Sequence, residues 1–188
     1  MSKKPKNSSN KVGFLSEDVT LTVQQPVDPF PNPMLAPTDA AGVNSNGARF
    51  GCSRNGGTQM HKGTDLIASV GINFVAIYSG VVQMVRNNVS NEEYTPDLGN
   101  IVIIKSIDLG ISIKYCHLSE VSVTQGASVS QETTLGKTGR SGNSFNVPHK
   151  HLHLEVSTDF FATNQKYVDP EPYLKTKYGS NPNPLVCP

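Results

Sequence analysis

Glycine and proline recur so densely in this chain, 16 and 13 times in 188 residues, that a long helix is hard to place anywhere. Proline removes a backbone donor and glycine costs order in a helix interior, so the sequence favours short strands and turns. No amphipathic helical stretch exceeds about three turns. Short β-type runs are expected at 65–68, 74–78, 81–86, 101–106, 111–117 and 150–157, with a weak one near Ser128. Ser79-Gly80, Asp108-Leu109-Gly110, Gln125-Gly126 and Leu135-Gly136 sit where an antiparallel sheet would reverse. The fold class expected is mainly β, antiparallel, with little helix.

Two polar segments rich in Asn, Gly and Ser, 87–100 and 136–148, are longer than the other connections. Loops of this kind beside a rigid sheet are where substrate is usually held. Residues 1–33 read as a polar, proline-rich arm, 34–174 as one domain and 175–188 as a tail that suits an extended strap. The length fits a single domain with a real core.

Charged residues make up 16% of the chain and the formal net charge is +1, with no long run of one sign. That excludes a nucleic-acid footprint or a polybasic membrane patch. No segment approaches the roughly 20 apolar residues of a membrane helix, and no apolar signal-peptide core follows the basic start. Cys52, Cys116 and Cys187 are odd in number and far apart, which is neither a disulfide framework nor a C-x-x-C pattern. They are read as free thiols, with one disulfide involving Cys187 as the alternative.

All five histidines fall in three short segments: His61, with Asp65 four residues on; His117; and His149, His151 and His153. Imidazole and carboxylate are ligands that zinc takes, and a catalytic zinc needs three of them plus one open position. In a strand, His151, His153 and Glu155 share one face and Leu152, Leu154 and Val156 the other, so the apolar face makes core while two imidazoles stand roughly 6–7 Å apart. The plain alternative is a half-buried strand whose outer face happens to carry histidine. His149 has the same parity, so residue pattern alone leaves 149/151 and 151/153 both open as the working pair. His117 closes an alternating run in which Ile111, Ile113 and Tyr115 share its face. It is expected to handle protons rather than fill core, with Tyr115 as an extra donor beside it.

Together with Arg49-Phe50-Gly51, Gly80-Val81-Val82, Gly99-Asn100-Ile101-Val102-Ile103, Tyr115-Cys116-His117-Leu118, the glycine-rich run 136–142 and Asp169-Pro170, these segments resemble the M23 zinc metallopeptidases, the lysostaphin-like or LytM-type endopeptidases of peptidoglycan. The resemblance runs from about Met34 to Tyr173. It implies antiparallel sheets of the lysostaphin/LytM type and one Zn2+ held by His61, Asp65 and His153, with His117 and His151 beside the reacting water. The glutamate and valine after the pair favour 151/153, leaving His149 at the cleft rim. Which of His117 and His151 is the base stays open. Glu155 is a candidate to orient a ligand imidazole, and equally a plain surface residue.

The function implied is hydrolysis of peptide cross-bridges in bacterial peptidoglycan, by a monomer acting in the periplasm or cell wall. With no export address visible, delivery by a specialised secretion system or phage-type lysis is expected, with an immunity protein or secretion adaptor as candidate partner. The rival readings are a non-catalytic M23-fold binding module and a structural component of a tail or secretion machine.

Overall fold

The computed structural model describes residues 24–38 and 45–188; the lysine-rich first part of the expected arm, 1–23, lies outside them. Eleven strands follow in chain order: β1 (Gly51–Arg54), β2 (Gln59–His61), β3 (Thr64–Ile67), β4 (Asn73–Val75), β5 (Gly80–Arg86), β6 (Asn100–Ser106), β7 (Ile111–Val121), β8 (Ser128–Val129), β9 (Thr134–Thr138), β10 (His151–Ser157) and β11 (Tyr167–Val168). Four three-residue 3-10 turns are the only helical pieces among the described residues. Among the described residues no helix is long and apolar enough to cross a membrane.

All pairing is antiparallel. β1 and β2 form a separate two-stranded sheet; the other nine strands form one sheet whose main path runs β11-β10-β7-β6-β5-β8. β10 has β7 along one edge and β3, then β11, along the other. One face of this sheet carries the main core, where Leu152, Leu154 and Val156 of β10 meet Ile113 and Tyr115 of β7 and Val102 and Ile104 of β6. The other face carries a smaller cluster of Ile101, Ile103, Cys116 and Phe160. This explains why β6 reads as a continuous apolar run: it is covered on both faces. Phe30, from the proline-rich segment before β1, belongs to the main core, and Pro29 accepts a hydrogen bond from Val75 N at 2.8 Å.

β1, β2, β9 and β11 were not expected. Three of them are four residues or fewer, too short for an alternation to show, and β9 carries Leu135-Gly136 as strand where the sequence suggests a turn. The cysteine reading is corrected as well. Cys52 and Cys187, 135 residues apart, form a disulfide, and only Cys116 is a free, buried thiol. Spacing could not reveal the pair, because it depends on the last residues running back across β1.

Candidate active site

β10 presents His151 and His153 on the face opposite Leu152 and Leu154, in the alternation expected of a strand. Asp65 lies directly across from His153 on β3, and His61 ends β2, separated from β3 by Lys62 and Gly63. Gly63 between them is required by packing. A Cβ there would stand 2.4 Å from Leu154 O and 2.8 Å from the His153 ring.

These elements bring three ligand atoms together. His61 Nε2 is 3.2 Å from His153 Nδ1 and 3.3 Å from Asp65 Oδ1, and His153 Nδ1 is 2.7 Å from the same oxygen. Ligands placed 2.0–2.1 Å from a tetrahedral zinc stand roughly 3.3 Å apart, so the donor set fits that ion with little adjustment. The far nitrogen of each ligand imidazole is fixed. His61 Nδ1 donates to Arg49 O at 3.1 Å, and His153 Nε2 is 3.2 Å from Glu155 Oε1. Because these partners only accept, each ring keeps a proton there, and its other nitrogen is the one turned toward the site and available as a lone pair once the ring is neutral. Glu155 is thus no plain surface residue; it is buried and also paired with Lys114 at 2.6 Å.

His117 and His151 complete the cluster. Their rings are 5.1 Å apart, and His117 is 5.7 Å from the His153 ring. His117 Nδ1 donates to Ser141 O and His151 Nδ1 to His149 O, both at 3.0 Å. Each therefore keeps Nε2 free. His149 contributes its backbone carbonyl, while its ring lines an adjoining hollow.

The expected face of His117 is corrected. Register along β7 slips by one residue against β6 between Tyr115 and Leu118, and His117 has φ +64°. This β-bulge turns His117 away from the core face and toward His151. Tyr115 stays in the core, where its hydroxyl accepts a hydrogen bond from Ile77 N at 3.0 Å and burial pushes its pKa up. It takes no part in the cleft.

Electrostatics follow from burial without a metal. Burial pushes the His117 imidazole down, the charges of His151 and His153 add to this, and its pKa falls to about 3. Burial also opposes protonation of His153, but hydrogen bonds to Asp65 and Glu155 outweigh it and lift the pKa to about 9. Burial raises the Asp65 carboxyl, yet the neighbouring His151 and His61 and the His153 hydrogen bond hold it well below the usual range.

Arg54 was not singled out in the sequence. Its Nη2 is 2.6 Å from Asp65 Oδ2 and 2.9 Å from His61 Nε2, with the side chain about one third exposed at 36%. His61 Nε2 is also one of the three candidate ligand atoms, and a guanidinium and a dication on one nitrogen exclude each other, so a metal held there requires Arg54 to swing outward. Nothing in the spacing of β1 hinted at this, since β1 itself was not legible.

The cleft above these residues has a volume of about 450 Å³. Tyr94 and Leu98 from segment 87–100 and Asn143, Ser144 and Val147 from segment 136–148 form its walls. The two segments brace each other: Asn143 N donates to Asp97 O, Arg140 Nε to Asn91 O and Asn100 N to Ser141 Oγ, all within 2.9 Å.

Comparison with known proteins agrees with this geometry. Over 127 residues the chain is 34% identical to the Stage II sporulation protein Q of Bacillus subtilis, covering 68% of this chain and 42% of that protein. Over 140 residues it is 33% identical to the peptidoglycan DD-endopeptidase ShyC of Vibrio cholerae, covering 72% and 29%. The chain thus spans less than half the length of these relatives. Among solved structures, the catalytic domain of lysostaphin from Staphylococcus simulans superposes with TM-score 0.53 at 28% identity, over 66% of this chain and 87% of that one. A chain of the SpoIIQ–SpoIIIAH pore-forming complex superposes with TM-score 0.54 at 26% identity, over 80% and 92%. Residues 59–170, more than half of the chain and all five histidines, match Peptidase family M23, and the protein belongs to that family.

Proposed function

We propose that this protein hydrolyses peptide cross-bridges of bacterial peptidoglycan as a zinc-dependent endopeptidase, with His61, Asp65 and His153 as ligands and His117 and His151 as the proton-handling pair. The observation that carries this reading is the complete set in one open cleft: three ligand atoms 2.7–3.3 Å apart and two further imidazoles, each with one nitrogen anchored and the other free. Zinc, when bound, supplies Lewis acidity toward a scissile carbonyl and acidifies a water. His117 is neutral at neutral pH, so its free Nε2 is suited to accept a proton. His151 Nε2, 3.7 Å from Asp65 Oδ1, faces the same space and is suited to stabilise developing negative charge and to pass a proton to a leaving amine. Tyr94, Leu98 and Asn143 position the peptide along the cleft.

Likeness to the Stage II sporulation protein Q, and to a chain of a pore-forming complex, favours a second reading, a binding module in an assembly. The intact ligand set argues against it. Action in the periplasm or cell wall fits the Cys52–Cys187 disulfide, which suits an oxidising compartment. Delivery by a specialised export system or phage-type lysis, with an immunity protein or adaptor as partner, belongs to the same proposal and is tested by the genes beside this one. The catalytic proposal is tested by incubating purified sacculi with the protein and following released muropeptides by mass spectrometry. Release abolished by a chelator and restored by zinc is expected; a zinc-loaded protein that releases nothing selects the binding module.

A further inference from the structure

The two-stranded sheet β1–β2 carries the metal ligand His61 at its end, and sheets of two strands alone are marginal in water. The segment 178–187 runs back along it as a strap. Cys52 N donates to Pro184 O at 2.7 Å, Asn181 Nδ2 to Phe50 O at 2.9 Å and Asn183 Nδ2 to Asn46 O at 2.8 Å. The buried Arg49 guanidinium adds bonds to the Gly179 and Ser180 carbonyls at 2.9 and 2.8 Å. The Arg49 carbonyl is the acceptor that fixes the His61 tautomer, at 3.1 Å, and Asn183 Nδ2 lies 3.4 Å from that same oxygen. One covalent bond, Cys52–Cys187, retains the strap on the strand. Cys52 is buried whereas Cys187 is half-exposed beside the exposed Leu185 and Val186, so a reagent in solution reaches the pair from the strap side.

We propose that the strap is the positioning device for His61 and that the Cys52–Cys187 disulfide is its redox latch, so that the metal site is fully formed only once the two thiols are oxidised. The oxidant is a small-molecule or protein disulfide. The Cys187 thiolate attacks it and releases one donor thiolate; the Cys52 thiolate then attacks the resulting mixed disulfide at the Cys187 sulfur and releases the second. Two protein thiols are oxidised to one disulfide, the donor disulfide is reduced to two thiols, and the protons of the protein thiols pass to solvent or to the departing thiolates. With the thiols reduced, the strap is free to leave and the outer edge of β1 loses its partner; Arg49 keeps its buried ion pair with Glu171 but loses the Gly179 and Ser180 carbonyls, so Arg49 O holds the imidazole less firmly. The latch makes zinc uptake follow arrival in an oxidising compartment. It rests on the reading that His61 is a zinc ligand, and not on any particular substrate.

The test compares zinc affinity, by competition with a chromophoric chelator, for oxidised protein, protein reduced with a phosphine, and Cys187→Ser, with Cys116→Ser as control. Partners that orient a ligand typically change metal affinity 10–100-fold. Reduced protein and Cys187→Ser are expected to bind zinc weaker by that factor and reoxidation to restore only the wild type, with Cys116→Ser unchanged. Hydrogen exchange of the metal-free protein is expected to show lost protection confined to residues 46–61. Equal affinity in all forms overturns the latch, as does loss of protection spread through β7 and β10. If affinity responds as expected but loaded, oxidised protein releases no muropeptide, the latch stands and the peptidase reading fails.

Discussion

Without metal, His153 Nδ1 lies 2.7 Å from Asp65 Oδ1, and the raised pKa of the ring puts a proton on this nitrogen, the one proposed to bind zinc. Zinc binding must displace that proton, because only the neutral ring offers a lone pair. With the His153 pKa raised to about 9, apparent zinc affinity is expected to rise roughly tenfold per pH unit as pH climbs from about 7 toward 9, and to level off above. Calorimetric titration in buffers of different ionisation enthalpy checks this by counting the proton released; release of none at pH 7 contradicts it. The sign for stability is opposite. A histidine pKa raised above its unfolded value of about 6.5 stabilises the metal-free fold fully below that pH, and the contribution is lost as pH rises through about 9. Arg54 competes for His61 Nε2 and holds the Asp65 carboxylate through its other oxygen. Arg54→Gln is therefore expected to bind zinc more tightly, by roughly tenfold for about 1.4 kcal/mol of lost competition, while its metal-free form melts lower because Asp65 loses a cation. Unchanged zinc affinity in that variant would show that Arg54 leaves the site freely.

Among the elements, β10 was the most legible: its period of two assigns core and cleft faces, and the observed strand follows that division residue by residue. β7 was legible only up to Cys116. The bulge at His117 reverses the alternation, and a φ of +64° at a histidine leaves no trace in a hydrophobic pattern. The anchors of the site were unreadable for a different reason. Arg49 O, Ser141 O and His149 O are backbone atoms, which any residue supplies, and only the fold brings them to an imidazole. Arg54 and the Cys52–Cys187 pair depend on β1, too short and polar to recognise. The β2–β3 connection tests the element account. Gly63→Ala would drive a Cβ to 2.4 Å from a backbone carbonyl that cannot turn aside, so β2 and β10 must separate. A loss of about 1–3 kcal/mol in denaturant unfolding is expected, with weakened zinc binding as His153 is displaced. Wild-type stability and affinity in this variant would mean that the two strands are not held in register as described.

At the scale of the molecule, one sheet supplies a rigid floor, and two cross-braced segments, 87–100 and 136–148, stand over it as walls. The strap ties residues 181–187 to β1, the strand that carries Arg54. On the proposed function, chemistry lies with β2, β3, β7 and β10 and peptide selection with the walls, so the bond cut is expected to change with wall residues such as Tyr94 and Asn143 while metal content does not. The central claim is that the five histidines divide into two ligands, two proton carriers and one bystander. It is tested most directly by measuring zinc per chain alongside muropeptide release from sacculi for the wild type, His153→Ala, His117→Ala and His149→Ala. The account predicts one zinc and full release for wild type and His149→Ala. It predicts neither for His153→Ala, and one zinc with release reduced about 10²- to 10⁴-fold for His117→Ala. Zinc and release retained in His153→Ala, or release undiminished in His117→Ala, would contradict it.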